Sequence, residues 1–182
     1  MTEFEYLSVL ISIIFGLALA QIMSGAVRSL YSGELNENQV VYTLFAIVIF
    51  LIDWWVSFSW NLNPQWRFDT FLILVLWAMS HYGMAVAMYP PATREFWTFE
   101  RRRRYFLAAF VGTCILDIMS TATRGALFTP WYYLPFLFHL VAVCGIGIYF
   151  DTNKVHRIVA WWLLLTIVSW SLLVRTLLSE LV

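Results

Sequence analysis

Six long apolar stretches, separated by short polar segments, make up most of this 182-residue chain. Each stretch is about 20 residues or longer, which is the length that an α-helix needs to cross ~30 Å of hydrocarbon. The pattern therefore predicts an all-α fold, a bundle of six transmembrane helices that forms a single transmembrane domain over residues 1–182. The predicted spans are 7–30, 40–62, 70–89, 105–128, 131–150 and 155–178.

The composition supports lipid as the solvent of this chain. It is 62% hydrophobic and 12% charged, whereas about 25% of the residues of a soluble domain are charged. The formal net charge is zero, which removes the electrostatic basis for nucleic-acid binding. The first residues, MTEFEY, are acidic, and the first apolar run is too long for the hydrophobic region of a signal peptide. We therefore expect the first span to remain in the protein, and no nucleic-acid partner.

Basic residues are divided unequally between the two sides of the predicted bundle. With six spans, both termini share one side, and the first, third and fifth loops share the other. The loop side holds most of the basic residues, namely Arg28, Arg94, Arg101, Arg102, Arg103, Arg104, Lys154 and Arg157. Because Lys and Arg near short loops stay in the cytoplasm, we expect both termini outside and the Arg-rich third loop inside.

The third loop, residues 94–105, reads REFWTFERRRRY and alternates aromatic with basic side chains. Anchoring of the topology explains this pattern. In one alternative the segment lies along the inner surface with its arginines on anionic lipid. In another, the segment Arg94–Tyr105 binds a partner, and the protein is an interaction or signalling subunit.

Aromatic side chains also suit the outer headgroup layer. We expect the following residues there: Trp54, Trp55, Trp60, Trp66, Trp131, Tyr132 and Tyr133.

Polar side chains recur at helical spacing inside several spans. The second span carries Asp53, Ser57 and Asn61, the fourth carries Thr113, Asp117, Ser120, Thr121 and Arg124, and the sixth ends with Ser171, Arg175 and Ser179. A central Asp costs ~2.5–3.5 kcal/mol on insertion scales, so these faces should turn towards the bundle interior or water. Most of this polarity falls in the outer half of the spans. We therefore predict an outward-facing polar pocket, with an ion or solute pathway formed by Asp53, Ser57, Asp117, Ser120, Arg124, His139 and Arg175.

Two other interpretations of these polar residues stay open. The charges can simply lock helices together, Asp117 with Arg124 and Asp53 with Arg175. Alternatively, two imidazoles at matched depth can ligate a haem iron or a transition metal. The candidate ligands are His81 and His139, with Met84 and Met88 as soft donors on the same stripe as His81. The chain has no CxxCH motif, and we expect no cofactor.

Residues 16–30, GLALAQIMSGAVRSL, and residues 112–126, GTCILDIMSTATRGA, match at six positions without gaps. They occupy equivalent places in the first and fourth spans, which cross in opposite directions because three spans lie between their starts. This arrangement indicates an inverted repeat of two three-helix halves, as in many secondary transporters.

The opening sequence EYLSVLISIIFGLALAQIMSG resembles the start of uncharacterised small six-helix bacterial integral membrane proteins. The resemblance covers the first helix and the general layout. It implies a bacterial inner membrane and assigns no functional residue.

Taken together, these features predict a membrane protein that transports, conducts or senses a small ion or solute. A bundle too small to enclose a large cavity favours a homo-oligomer. No GxSxG, HExxH or Walker motif appears, so nothing in the sequence favours an enzyme.

Overall fold

The computed structural model describes residues 3–33, 35–58, 60, 66–91 and 98–174. Within these ranges the chain forms six helices and no strand, which confirms the all-α fold. The helices are α1 (Glu3–Tyr31), α2 (Glu37–Ser57), α3 (Phe68–Met88), α4 (Phe99–Thr123), α5 (Tyr133–Tyr149) and α6 (Asn153–Val174). Five of them are long and apolar enough to cross a membrane, and α5 is a shorter apolar helix of 17 residues.

The largest difference from the predicted bounds concerns α4, which begins at Phe99 and ends at Thr123 rather than covering residues 105–128. Four consecutive arginines continue the helix beyond the apolar run, because arginine is a good helix former. Residues 99–105 are therefore helical and not part of a loop, whereas residues 94–97 lie outside the described ranges. The helix ends where Gly125 adopts a φ of 69°, a left-handed conformation that favours glycine.

The start of α2 is also fixed by a local interaction. The side chain of Asn36 accepts a hydrogen bond from the backbone N–H of Gln39 at 2.9 Å, which caps the first turn. The helix therefore begins at Glu37 rather than near residue 40.

The helices pack as a closed ring in the order α1, α3, α4, α5, α6, α2, and α2 also contacts α3 across the ring. In this order α1 lies beside α3, which runs in the same direction, and α2 lies beside α6. The inverted repeat is not confirmed. The second half would need α4 against α6 to match α1 against α3, yet α4 and α6 are not close neighbours in the described part of the chain.

The outer surface of the bundle is apolar. Large hydrophobic side chains such as Ile13, Leu17, Phe138 and Leu165 are more than half exposed. A water-soluble protein rarely exposes a continuous apolar surface of this kind, because each such side chain loses favourable burial. The exterior is therefore that of a membrane-embedded helical bundle.

A close approach joins α1 to the end of α3. A Cβ atom added at Gly25 would overlap the side chain of Tyr89, so only glycine fits at this position. On the same face of α1, Gln21 Nε2 donates a hydrogen bond to the Tyr89 carbonyl oxygen at 2.6 Å. The Tyr89 hydroxyl lies 2.7 Å from Thr43 Oγ1, which joins α2 to the same point.

Candidate functional site

A cavity of about 80 Å³ lies between α2, α4, α5 and α6, towards the end of the bundle at which α2 and α4 terminate. Its polar lining includes Asp53, Asp117, Thr121, Arg124 and Tyr133, and the rest of the wall is mainly apolar. The structure thus brings together Asp53, Asp117 and Arg124, three of the residues assigned to the pathway from the sequence. A polar space of this size has room for a few water molecules or one small ion.

Asp53 leads from the cavity to a buried histidine. Its Oδ2 atom lies 2.7 Å from Nε2 of His81, whose side chain is fully buried, whereas that of Asp53 is 20% exposed. The imidazole is enclosed by the rings of Phe15, Phe50 and Trp77, with centroids 4.6, 5.3 and 5.1 Å away. The pair therefore has one member in an apolar, ring-lined pocket and the other in the cavity wall.

The hydrogen-bond geometry shows where this pair can hold protons. Nδ1 of His81 lies 2.9 Å from the carbonyl oxygen of Trp77. A carbonyl oxygen can only accept, so Nδ1 carries a hydrogen. The contact between Nε2 and the Asp53 carboxyl group then needs one further proton, held either by the carboxyl group or by the ring. With that proton the pair carries no net charge, whichever group holds it, and without it a negative charge lies at the cavity wall.

Asp117 and Arg124 are joined by a relay of two hydroxyl groups. Arg124 Nη2 donates to Thr121 Oγ1 at 3.3 Å, and the Tyr133 hydroxyl oxygen lies 3.0 Å from Thr121 Oγ1 and 2.7 Å from Asp117 Oδ2. A phenol has one hydrogen, so when Tyr133 donates to Asp117, the Thr121 hydroxyl is left to donate to Tyr133. Every donor then points from the guanidinium towards the carboxylate, an arrangement in which successive bonds polarise one another.

Arg124 also contacts an aromatic ring. Its guanidinium carbon lies 4.7 Å from the ring centroid of Trp60, a cation–π distance. Trp60 is 2% exposed, and Tyr133 is buried as well. Both side chains were predicted at the outer aromatic boundary; they pack against the polar relay, and their depth in the membrane stays a prediction.

The Tyr133 hydroxyl gives a direct test of the relay. A Tyr133→Phe variant should lose about 1–2 kcal/mol of unfolding free energy, because Asp117 and Thr121 each lose a buried hydrogen-bond partner. Equilibrium unfolding in mixed detergent micelles measures this change. Tyr132→Phe, which removes a hydroxyl from the neighbouring position, is the matched control and should change stability by less than about 0.5 kcal/mol. Equal stability of the two variants would contradict the relay.

The other residues assigned to the site from sequence lie elsewhere. Among the described residues, Ser57, Ser120 and His139 do not line the cavity. Ser57 donates to the carbonyl oxygen of Trp54 in its own helix at 2.6 Å. The imidazole Nε2 of His139 accepts a hydrogen bond from Trp162 Nε1 at 2.8 Å. Arg175 lies outside the described residues, so its pairing with Asp53 stays a prediction, and Asp53 has His81 as its partner.

The proposed metal ligands have separate surroundings. The Nε2 atom of each imidazole makes a hydrogen bond within the protein, that of His81 with Asp53 and that of His139 with Trp162. Met84 is buried and accepts a hydrogen bond from Thr113 at its sulfur at 3.3 Å, and Met88 is buried in the core. Over the described ranges no group of three or more His, Cys, Asp and Glu side chains is arranged to hold a metal ion.

A second polar cluster lies at the opposite end of the bundle, around Asp151 in the segment between α5 and α6. Asp151 Oδ1 accepts from Arg103 Nε at 2.8 Å and lies 3.0 Å from His156 Nε2, and Oδ2 lies 2.8 Å from Arg104 Nε. Nδ1 of His156 lies 2.8 Å from the hydroxyl of Tyr42 on α2. Burial raises the pKa of Asp151, but its hydrogen bonds and the arginine charges outweigh that effect and hold the pKa below its ordinary value.

Sequence reasoning missed Thr121 as a bridging residue, Tyr133 as a site residue and His81 as the partner of Asp53. Thr121 was visible on the stripe of the fourth span, but nothing in the sequence marked Tyr133 apart from its position sixteen residues after Asp117. In comparisons with known proteins, no protein-family model, no curated protein and no solved structure matches this chain.

Proposed function

We propose that this membrane-embedded bundle moves a small ion or solute through the cavity, coupled to protonation of Asp53 and Asp117. The observation that carries the proposal is the wall of the cavity, where two carboxyl groups and one guanidinium from α2 and α4 face the same small space. Ionisable groups are expensive inside a membrane, and those that line a wet cavity typically mark a substrate or proton pathway.

The two acids have complementary surroundings. Asp53 lies within hydrogen-bond distance of His81, and Asp117 ends a chain of donors that begins at Arg124. A small cation that enters the cavity replaces the proton held between Asp53 and His81, so no net charge is added to the low-dielectric interior. Proton exchange between the cavity and the Asp53–His81 pair is therefore the step that the geometry supports best.

The proposed setting is the bacterial inner membrane, with both termini in the periplasm. In this orientation the four arginines at the start of α4 face the cytoplasm and the cavity lies in the outer half of the bundle. We also propose a homo-oligomer, because the cavity enclosed by one chain, about 80 Å³, is small. Cross-linking in native membranes tests the oligomer.

Proton flux into proteoliposomes tests the function. Purified protein is reconstituted with a pH-sensitive dye inside, and an imposed concentration gradient of a small cation, Na⁺ or K⁺, drives the proton flux. We expect Asp53→Asn and Asp117→Asn each to lower the flux about tenfold or more, since ~1.4 kcal/mol of barrier is already tenfold.

Asp69→Asn is the matched control for this assay. Asp69 lies at the start of α3, at the same end of the bundle, but its side chain is 58% exposed and pairs with Arg67. We expect this variant to keep the wild-type flux within about twofold, as exposed ion pairs contribute little. The proposal fails if the wild-type protein conducts no more than empty liposomes, or if the two cavity variants conduct like the control.

A further inference from the structure

A second cavity, of about 450 Å³, lies on the surface at the opposite end of the bundle. It runs between the start of α4 and the end of α5, and its lining consists of Arg101, Arg104, Tyr105, Ala108, Ile148 and Asp151. The charged residues lie on the first turns of α4 and in the segment after α5, whereas Ala108 and Ile148 lie further into the two helices. The groove is therefore basic near the end of the bundle and apolar towards the middle of the bundle.

The surrounding side chains place this groove at a membrane–water boundary. Tyr105, Tyr149 and Phe150 are each more than half exposed and lie on the same end of α4 and α5. Exposed aromatic rings at the end of an apolar helix are typical of the headgroup layer, where an amphipathic ring is favoured. The basic end of the groove thus lies at the depth of lipid phosphates and its apolar end at the depth of acyl chains.

Among the described residues Asp151 is the one acid that lines the groove, and it does not cancel the positive charge there. Asp151 is hydrogen-bonded by Arg103 and by His156, so its negative charge is shared with groups outside the groove. Arg104 uses Nε on Asp151 at 2.8 Å, and a guanidinium has four further N–H donors. Arg101 is exposed, one helical turn away from Arg104. The two guanidiniums therefore leave a net positive charge at the mouth of the groove.

We propose that this groove is a binding site for an anionic phospholipid. The phosphate lies between Arg101 and Arg104, whose planar donor sets match phosphate oxygens in a bidentate way. Tyr105 borders the headgroup, and the first methylene groups of one acyl chain follow Ala108 and Ile148. The apolar floor selects a lipid rather than a free phosphate ion, because a soluble anion gains nothing from contact with those side chains. This site is independent of the proposed transport function.

Native mass spectrometry of the purified protein in mixed micelles tests the site. The probes are a two-chain phosphatidylglycerol and a phosphatidylcholine of the same chain length. We expect wild-type protein to bind the first about tenfold more tightly than the second, and Arg101→Gln/Arg104→Gln to abolish the difference. Arg28→Gln, which removes an exposed arginine at the same end of the bundle, is the control and should keep it.

A second variant separates a defined site from diffuse charge attraction. Ala108→Trp fills the apolar floor without changing any charge and should reduce phosphatidylglycerol binding as far as the double arginine variant does. Ala122→Trp, at an exposed position near the other end of α4, should have no effect. Normal binding by Ala108→Trp, or equal binding of the two lipids by the wild type, overturns the proposal. Full competition by water-soluble glycerol phosphate also overturns it, because the site would then recognise phosphate without its lipid.

Discussion

An Arg103→Met variant should lose about 2–4 kcal/mol of unfolding free energy, because it removes one partner of a buried ion pair. Arg103 is only 4% exposed. It donates to Asp151 Oδ1, to the Asp151 carbonyl oxygen at 3.2 Å and to Asn153 Oδ1. Methionine fills part of the same volume but satisfies none of these acceptors. The loss stays below the upper range for buried pairs, since Asp151 is 25% exposed and keeps Arg104.

Equilibrium unfolding in mixed micelles measures this effect, and Arg28→Met is the control. Arg28 is exposed in the last turn of α1, so its replacement should change stability by less than about 0.5 kcal/mol.

The pH dependence of the unfolding free energy gives a second measurement. Because the folded pKa of Asp151 is lowered, its contribution is present above the ordinary carboxyl pKa and is lost as the pH falls through the lowered value. In Arg103→Met the folded pKa of Asp151 moves back towards the ordinary carboxyl value, so this contribution should be smaller and its loss should be complete at a higher pH. Similar unfolding curves for the two variants would show that the cluster does not stabilise the bundle.

A Gly25→Ala variant should lose about 1–3 kcal/mol of unfolding free energy through overpacking. The added methyl group would overlap the Tyr89 side chain, which is 2% exposed and has no open side to move into. A shift of α1 would also stretch the hydrogen bonds that Tyr89 makes with Gln21 and Thr43. One methyl group therefore disturbs the point at which α1, α2 and the end of α3 meet.

Gly16→Ala provides the matched control because it lies on the same helix. A Cβ atom there meets nothing within 4 Å, so the substitution should be neutral or stabilise the helix by up to about 1 kcal/mol. Thermal unfolding of the two variants in the same detergent is the measurement. If Gly25→Ala is as stable as Gly16→Ala, the close approach of α1 to Tyr89 is not a feature of the folded protein.

The six helices were predictable because the signal for a membrane-spanning helix is local. A long apolar run must satisfy its own backbone hydrogen bonds in lipid, and only a helix does so within one segment. The helix ends were less predictable, since hydropathy does not detect a charged first turn. α4 begins six residues before the predicted span because its arginines extend the helix and Arg103 is held by Asp151.

It was also predictable that Asp53 on α2, and Asp117 and Arg124 on α4, face the bundle interior. Helical spacing puts the polar residues of each helix on one face, and the free-energy cost of a charged group in lipid turns that face inwards. Their partners were not, since neighbouring helices are chosen by packing between distant parts of the chain. His139 shows what was overlooked. The buried face of α5 carries Leu137, Leu140 and Cys144, and at 100° per residue His139 lies about 130° away from the centre of that face. Its approach to Trp162 rather than the cavity therefore follows from a periodicity that the sequence contained.

The order in which the partners of the two acids occur has a consequence for membrane insertion. Asp53 on α2 finds His81 on α3, 28 positions later, and Asp117 on α4 finds Tyr133 on α5, 16 positions later. Each carboxyl group is thus satisfied by the next helix to leave the ribosome. By contrast, Tyr42 reaches His156 on α6 only across 114 positions. The two aspartates, whose insertion into lipid costs the most free energy, therefore find hydrogen-bond partners early during synthesis. The ring of helices closes only when the final helix has been inserted.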